Sequence, residues 1–140
     1  MKYYIYMQLS FKFFIGHSGF DMDKKIAKEC PLVDVVVGGH TNTFLYTEPE
    51  SKPDREEAEG PYPTIIEQPE TGRKVPVVQA YAYTKYLGYL KMKFDGKGEL
   101  TEWEGNPILL TQDMPQGICA LGYWQKIKKY TSKFFQMKKF

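Results

Sequence analysis

The chain has 140 residues, of which 42% are hydrophobic and 16% aromatic, with a formal net charge of +2 and two cysteines. This length allows one ordinary domain with its own core, and so small a net charge argues neither for nor against a nucleic-acid partner. Two cysteines are too few for a disulfide framework; Cys30 and Cys119 can pair or stay reduced, so they do not report a compartment.

No stretch approaches the roughly 20 apolar residues that a membrane span needs. Residues 1–14 are rich in Tyr, Phe and Ile, but Gln8, Ser10 and Lys12 interrupt any signal-peptide core and no small-residue cleavage site follows. The segment reads instead as a strand over residues 9–15 that ends at Gly16-His17. Asp21 is placed to cap a helix over residues 22–30, with Met22, Ile26, Ala27 and Cys30 near one face and Pro31 as its stop. Val33-Asp34-Val35-Val36-Val37 then reads as a buried strand of a parallel sheet.

That strand runs into Gly38-Gly39-His40-Thr41-Asn42. The two glycines can take backbone angles closed to other residues and can let a ligand approach the main chain. His40 falls just past the carboxyl end of a buried strand, where open α/β sheets usually bind ligands. Asn42 points to the same side if the chain stays extended. A single histidine in such a place is more often a hydrogen-bonded loop residue than a ligand. His17, however, also follows an apolar run and a glycine. Two strand-Gly-His endings around a helical segment form a βαβ pattern, which brings both imidazoles to one edge of the sheet and suits a metal site. Ring nitrogens on the order of 3–4 Å apart could then share one ion, given Zn–N distances near 2.1 Å.

Phe44-Leu45-Tyr46 reads as a short segment packed under that site. Residues 47–63 read as a loop with four prolines and the charge run Asp54-Arg55-Glu56-Glu57-Ala58-Glu59. A solvated excursion is the favoured reading of such a run over a substrate-side loop. Strand-like runs follow over residues 64–67, 75–83 and 87–94, with Gly72 at the first turn. Asp95-Gly96-Lys97-Gly98 signals a hairpin into a strand over residues 99–103. Leu90, Met92 and Phe94 alternate with Lys91, Lys93 and Asp95, as in a half-buried antiparallel strand. A loop from Asn106-Pro107 to near Pro115 leads to a helix over residues 118–135, with Ile118, Leu121, Trp124 and Ile127 at helical spacing. Its end carries Lys126, Lys128, Lys129, Lys133, Lys138 and Lys139. A solvated basic face is favoured there over contact with anionic lipid or nucleic acid, because the rest of the chain has no matching basic patch.

Gly16-His17-Ser18-Gly19-Phe20, together with Asp34-Val35-Val36-Val37-Gly38-Gly39-His40-Thr41-Asn42-Thr43-Phe44-Leu45-Tyr46, resembles the ecto-5'-nucleotidase and apyrase family of calcineurin-like metallophosphoesterases. The resemblance continues in Gly72-Arg73-Lys74-Val75-Pro76-Val77-Val78-Gln79-Ala80-Tyr81, in Lys85-Tyr86-Leu87-Gly88-Tyr89-Leu90 and in Gly105-Asn106-Pro107-Ile108-Leu109-Leu110. It covers residues 13–110, with a weaker echo over residues 124–132. A cyclic-nucleotide phosphodiesterase fits less well, since those carry Gly-His-x-His where this chain has Gly39-His40-Thr41-Asn42.

The resemblance implies an α/β fold, part of a metallophosphoesterase αββα sandwich: a βαβ unit, an antiparallel meander and a C-terminal helix. It implies the second half of the catalytic domain over residues 1–116, then a basic helix over residues 117–140 leading towards a nucleotide-binding domain. It implies a nucleotide hydrolase that releases phosphate from AMP, ADP or ATP at a pair of divalent metals. Zinc is the first choice, with manganese, magnesium or calcium as alternatives. His17, His40 and Asn42 would be metal ligands, and Asn42 would also touch the substrate phosphate. Asp34, at the other end of its strand from His40, is not counted. The resemblance further implies an extracellular setting, secreted or membrane-anchored, and intact members that can dimerise.

The family's Asp-x-His motif, its bridging Asp and its Gly-Asn-His-Glu/Asp motif belong before residue 13 and have no counterpart in this chain, so no catalytic acid or base is assigned here. The expectation is therefore part of a nucleotide hydrolase that is inactive by itself and marginally stable, with one sheet face and one edge uncovered. The alternative is a non-catalytic binding protein or truncated pseudoenzyme.

Overall fold

A computed structural model describes residues 11–112. Residues 1–10, which include the first two positions of the strand expected over residues 9–15, the helix and basic tail expected over residues 118–140, Cys119 and the division expected at 116/117 lie outside the described residues. All the elements below belong to one compact unit that ends at Leu109.

Strands β1 (Phe13–Ile15) and β2 (Val35–Val37) flank helix α1 (Phe20–Glu29). They pair in parallel, with Phe13 opposite Val35 and Ile15 opposite Val37, so the expected βαβ unit is present. Strands β3 (Thr64–Glu67) and β4 (Lys74–Val78) complete a four-stranded sheet in the order β1-β2-β4-β3. β4 runs parallel to β2 and antiparallel to β3. Two short antiparallel pairs follow: β5 (Tyr86–Leu87) with β8 (Ile108–Leu109), and β6 (Lys91–Phe94) with β7 (Leu100–Glu104). α1 is the single α-helix among the described residues, and no described helix is long and apolar enough to cross a membrane.

The helix starts two residues earlier than the sequence suggests, and Asp21 does not cap it. Gly19 holds the N-cap with φ 91° and has no side chain to cap with; the Phe20 N–H of the first turn is taken by Thr41 Oγ1 at 3.2 Å. Gly19 is held from both sides: its N–H donates to the Gly39 carbonyl at 3.0 Å, and its carbonyl accepts from the Asp23 N–H at 2.9 Å. Asp21 pairs instead with Lys24 on the exposed side, at 2.9 Å. The buried face is also turned from the expected one. Met22 and Cys30 are exposed, while Asp23 and Ala27, one turn apart, are buried. Ala27 packs with Val36, Val75 and Val77, flanked by Phe14, Phe20, Ile26, Val33 and Ile66. Cys30 carries a free thiol.

β1 lies at the end of the sheet order, and Phe13 and Ile15 remain 56% and 78% exposed. These side chains lie on the face opposite the one that carries Phe14 against the helix. Phe44 and Leu45 are buried, as expected of a segment under the site. Phe44 packs its ring against Tyr46, Tyr81 and Tyr86, with centroids 4.8–6.2 Å away.

The run expected over residues 75–83 ends at Val78, because Tyr81, Tyr83 and Thr84 take left-handed backbone angles. Lys85 N–H donates to the Ala82 carbonyl at 3.1 Å across that turn. The run expected over residues 87–94 is accordingly two strands, β5 and β6. The Asp95 hairpin forms as expected. Asp95 Oδ1 accepts the N–H groups of Lys97 and Glu99 at 2.8 and 2.9 Å, and Gly98 takes φ 87°.

The charge run is not simply solvated. Lys85 Nζ pairs with Asp54 at 2.7 Å and also with Glu56, whose other oxygen accepts the Tyr86 hydroxyl at 2.7 Å. These hydrogen bonds, with Lys85 the leading cause, hold both carboxylates below their usual range. A carboxylate depressed in the folded state adds stability above its unfolded pKa and loses that contribution as pH falls through the folded value. Stability should therefore decline below about pH 4.3, and Lys85→Met should flatten that decline while lowering stability near neutrality. Urea midpoints at neutral and acid pH check this; equal declines in both proteins would show that the anchor is idle.

Candidate metal centre

The register of β1 and β2 sends the two Gly-His steps off the sheet side by side. Gly16 N–H donates to the Val37 carbonyl at 3.0 Å, and Gly38 N–H to the Val78 carbonyl at 2.9 Å. The imidazoles of His17 and His40 thereby stand with ring centroids 5.0 Å apart and planes at 71°. Both residues are exposed. Two neighbouring imidazoles open to solvent offer nitrogen donors of the type a divalent ion can take. Among the described residues no group of three or more His, Cys, Asp or Glu is placed to hold a metal ion.

The backbone around His40 differs from the sequence-based picture. Neither Gly38 nor Gly39 takes a positive φ; His40 and Asn42 do, at 83° and 56°. The chain is thus not extended there, and simple alternation does not place Asn42 beside His40. Asn42 is exposed. A left-handed histidine costs on the order of 1–3 kcal/mol and persists only where its surroundings over-determine it. The glycines are needed for space instead. A Cβ on Gly38 would lie 1.8 Å from Asp23 Oδ2, and one on Gly39 would lie 3.1 Å from His17 Nδ1. The close approach is to the protein's own groups.

Those groups form a network that sequence reasoning missed. Asp23 is fully buried. Its Oδ1 accepts the Ser18 hydroxyl at 2.8 Å, and its Oδ2 accepts Gln79 Nε2 at 2.7 Å. Gln79 Nε2 also donates to the Gly39 carbonyl at 3.2 Å, while Gln79 Oε1 accepts Thr43 N–H at 3.2 Å. Thr41 Oγ1 lies 2.8 Å from Thr43 Oγ1 and accepts the Phe20 N–H at 3.2 Å. Gln79 follows β4 directly, and Val78 is opposite Val37, so its place at the carboxyl edge beside Gly38 was available from position alone. Asp23 gave a weaker signal, because an acidic residue in a short helix ordinarily reads as solvated.

Asp34 anchors the other end of the sheet. It accepts the Lys12 N–H at 2.7 Å and pairs with Arg73, which also reaches Glu99 at 3.2 Å and the Pro31 carbonyl at 2.8 Å.

No protein-family model matches the chain. It is 62% identical to the 5'-nucleotidase of Rattus norvegicus over 123 residues, 85% of this chain and 21% of that protein. It is 57% identical to the 5'-nucleotidase of Homo sapiens over 102 residues, 73% of this chain and 17% of that protein. Among solved structures, the 5'-nucleotidase precursor from Thermus thermophilus matches with a TM-score of 0.65 and 34% identity, covering 86% of this chain and 23% of that one. The chain thus spans about a fifth of the length of the relatives it matches.

Proposed function

We propose that this chain, similar in sequence and fold to a segment of 5'-nucleotidases, supplies part of a two-metal centre that hydrolyses nucleotide phosphate esters. The observation that carries the reading is the pairing of His17 and His40 at the carboxyl edge of the sheet, with ring centroids 5.0 Å apart. When bound, divalent ions polarise phosphoryl oxygens and lower the pKa of a bound water. His17 and His40 would offer neutral nitrogen lone pairs to one ion, zinc first by donor type. Asn42 would serve as a ligand or give its amide N–H to a phosphate oxygen. The bound nucleotide would be AMP, ADP or ATP, as in a 5'-nucleotidase or apyrase. The same reading places the working protein outside the cell, secreted or anchored, and allows it to dimerise.

Uncatalysed phosphate-monoester hydrolysis is slow enough to need acceleration of up to ~10²¹-fold. Two imidazoles and one amide do not hold two ions the roughly 4 Å apart that in-line displacement uses. The 140-residue chain should therefore release no phosphate from AMP, ADP or ATP above a blank containing the same zinc, manganese, magnesium or calcium. A longer protein that joins it to the preceding part of a 5'-nucleotidase domain should release phosphate in a metal-dependent way. Turnover by the short chain that disappears in the His17→Ala, His40→Ala double variant would overturn the reading of an incomplete centre.

A further inference from the structure

We infer that Asp23 and Gln79 are positioning residues that lock the His17 and His40 loops at one spacing, an inference that rests on the metal reading above. Asp23 is the only fully buried carboxylate among the described residues, and neither of its oxygens meets a cation. Both are used to join loops. Oδ1 takes the hydroxyl of Ser18, the residue after His17. Oδ2 takes the amide of Gln79, whose two ends hold the Gly39 carbonyl and the Thr43 N–H on either side of His40. A buried ionisable side chain is costly unless every lone pair is directed, and here the directed bonds end beside the two histidines. The left-handed angle at His40 needs such an outside constraint, since the residue alone would relax from φ 83°.

The bridge has a chemical direction that can be reversed. Gln79→Glu alone sets a carboxylate against Asp23 Oδ2, two acceptors where one bond stood at 2.7 Å. Adding Asp23→Asn turns the bond round. The new Asn amide can donate to the Glu, its oxygen can still accept from Ser18, and the Glu can still accept from Thr43; the bond to the Gly39 carbonyl is the one contact not restored.

The test uses the 140-residue chain with Zn²⁺ as titrant in calorimetry, and amide hydrogen exchange of the metal-free protein. Gln79→Glu should weaken zinc binding at least about tenfold, the lower end of what outer-shell partners of metal ligands contribute, and the reversed pair Asp23→Asn, Gln79→Glu should recover part of it, since the bond to the Gly39 carbonyl stays lost. Without metal, Asp23→Ala should strip protection from the Gly19 and Phe20 amides, which bond to Gly39 and Thr41, while the amides of β2 and β4 keep theirs. Protection lost equally in loops and sheet, or a Gln79→Glu variant that binds zinc as the unmodified chain does, would overturn the inference. A chain that binds no zinc but shows the loop-specific loss would instead fail the metal reading and leave the lock standing.

Discussion

His40→Gly is expected to separate stability from metal binding. His40 holds φ 83°, a conformation that glycine adopts freely and histidine does not. Releasing it should stabilise the metal-free chain by about 1 kcal/mol, read as a higher urea midpoint. The same change removes one of two imidazoles whose ring centroids stand 5.0 Å apart. Loss of outer-shell partners alone costs ten- to about a hundredfold in metal affinity, so loss of the ligand itself should exceed about a hundredfold in a zinc titration. His17→Ala should match it in binding without the gain in stability. A variant that loses stability together with binding would show that the imidazole holds the loop, and the strain would then have no functional meaning.

Gly38→Ala should be the most destabilising single methyl in the described unit near the site. The added carbon would sit 1.8 Å from Asp23 Oδ2, 2.5 Å from Asp23 Cγ and 3.0 Å from Gln79 Nε2. Asp23 cannot swing aside, because it is fully buried and bonded on both oxygens. Overpacking costs about 1–3 kcal/mol, and a displaced buried carboxylate adds the desolvation of lost hydrogen bonds, so a total near 3 kcal/mol or more is expected. Gly39→Ala is the informative contrast. Its Cβ would meet His17 Nδ1 at 3.1 Å, and that exposed ring can shift. Gly39→Ala should cost much less stability but should weaken zinc binding by moving the imidazole. Chemical denaturation of both variants checks the order; equal costs would mean that the space under Gly38 is softer than the buried network implies.

How much of this is legible before the fold follows from which forces act locally. The βαβ unit is readable because short runs of β-branched residues end in Gly-His twice, and parallel pairing then brings those ends together. The Asp95 hairpin is readable because its turn chemistry is local. The break at residues 79–85 is not, since Tyr83-Thr84 carry no turn signal and take positive φ only within the tertiary fold. The helix cap escapes for a related reason: Asp21 offers the right side chain, but Gly19 is fixed by the Gly39 carbonyl, a contact 20 residues away in sequence. The glycines after β2 stand out in the sequence, though for a different cause than the one expected. They make room for Asp23 and His17 and need no unusual backbone angle. The charge run reads as solvated because its partner, Lys85, is distant in sequence and meets it only in the folded chain.

The central claim is that His17 and His40 share one ion. X-ray absorption of the chain loaded with one equivalent of zinc tests it most directly, because imidazole backscattering counts the ligands without assuming activity. The account predicts two imidazoles at Zn–N distances of about 2.0–2.1 Å with oxygen ligands filling the remaining positions, and one imidazole fewer in His17→Ala. A zinc site with no imidazole, or a spectrum unchanged when both histidines are replaced, would contradict it.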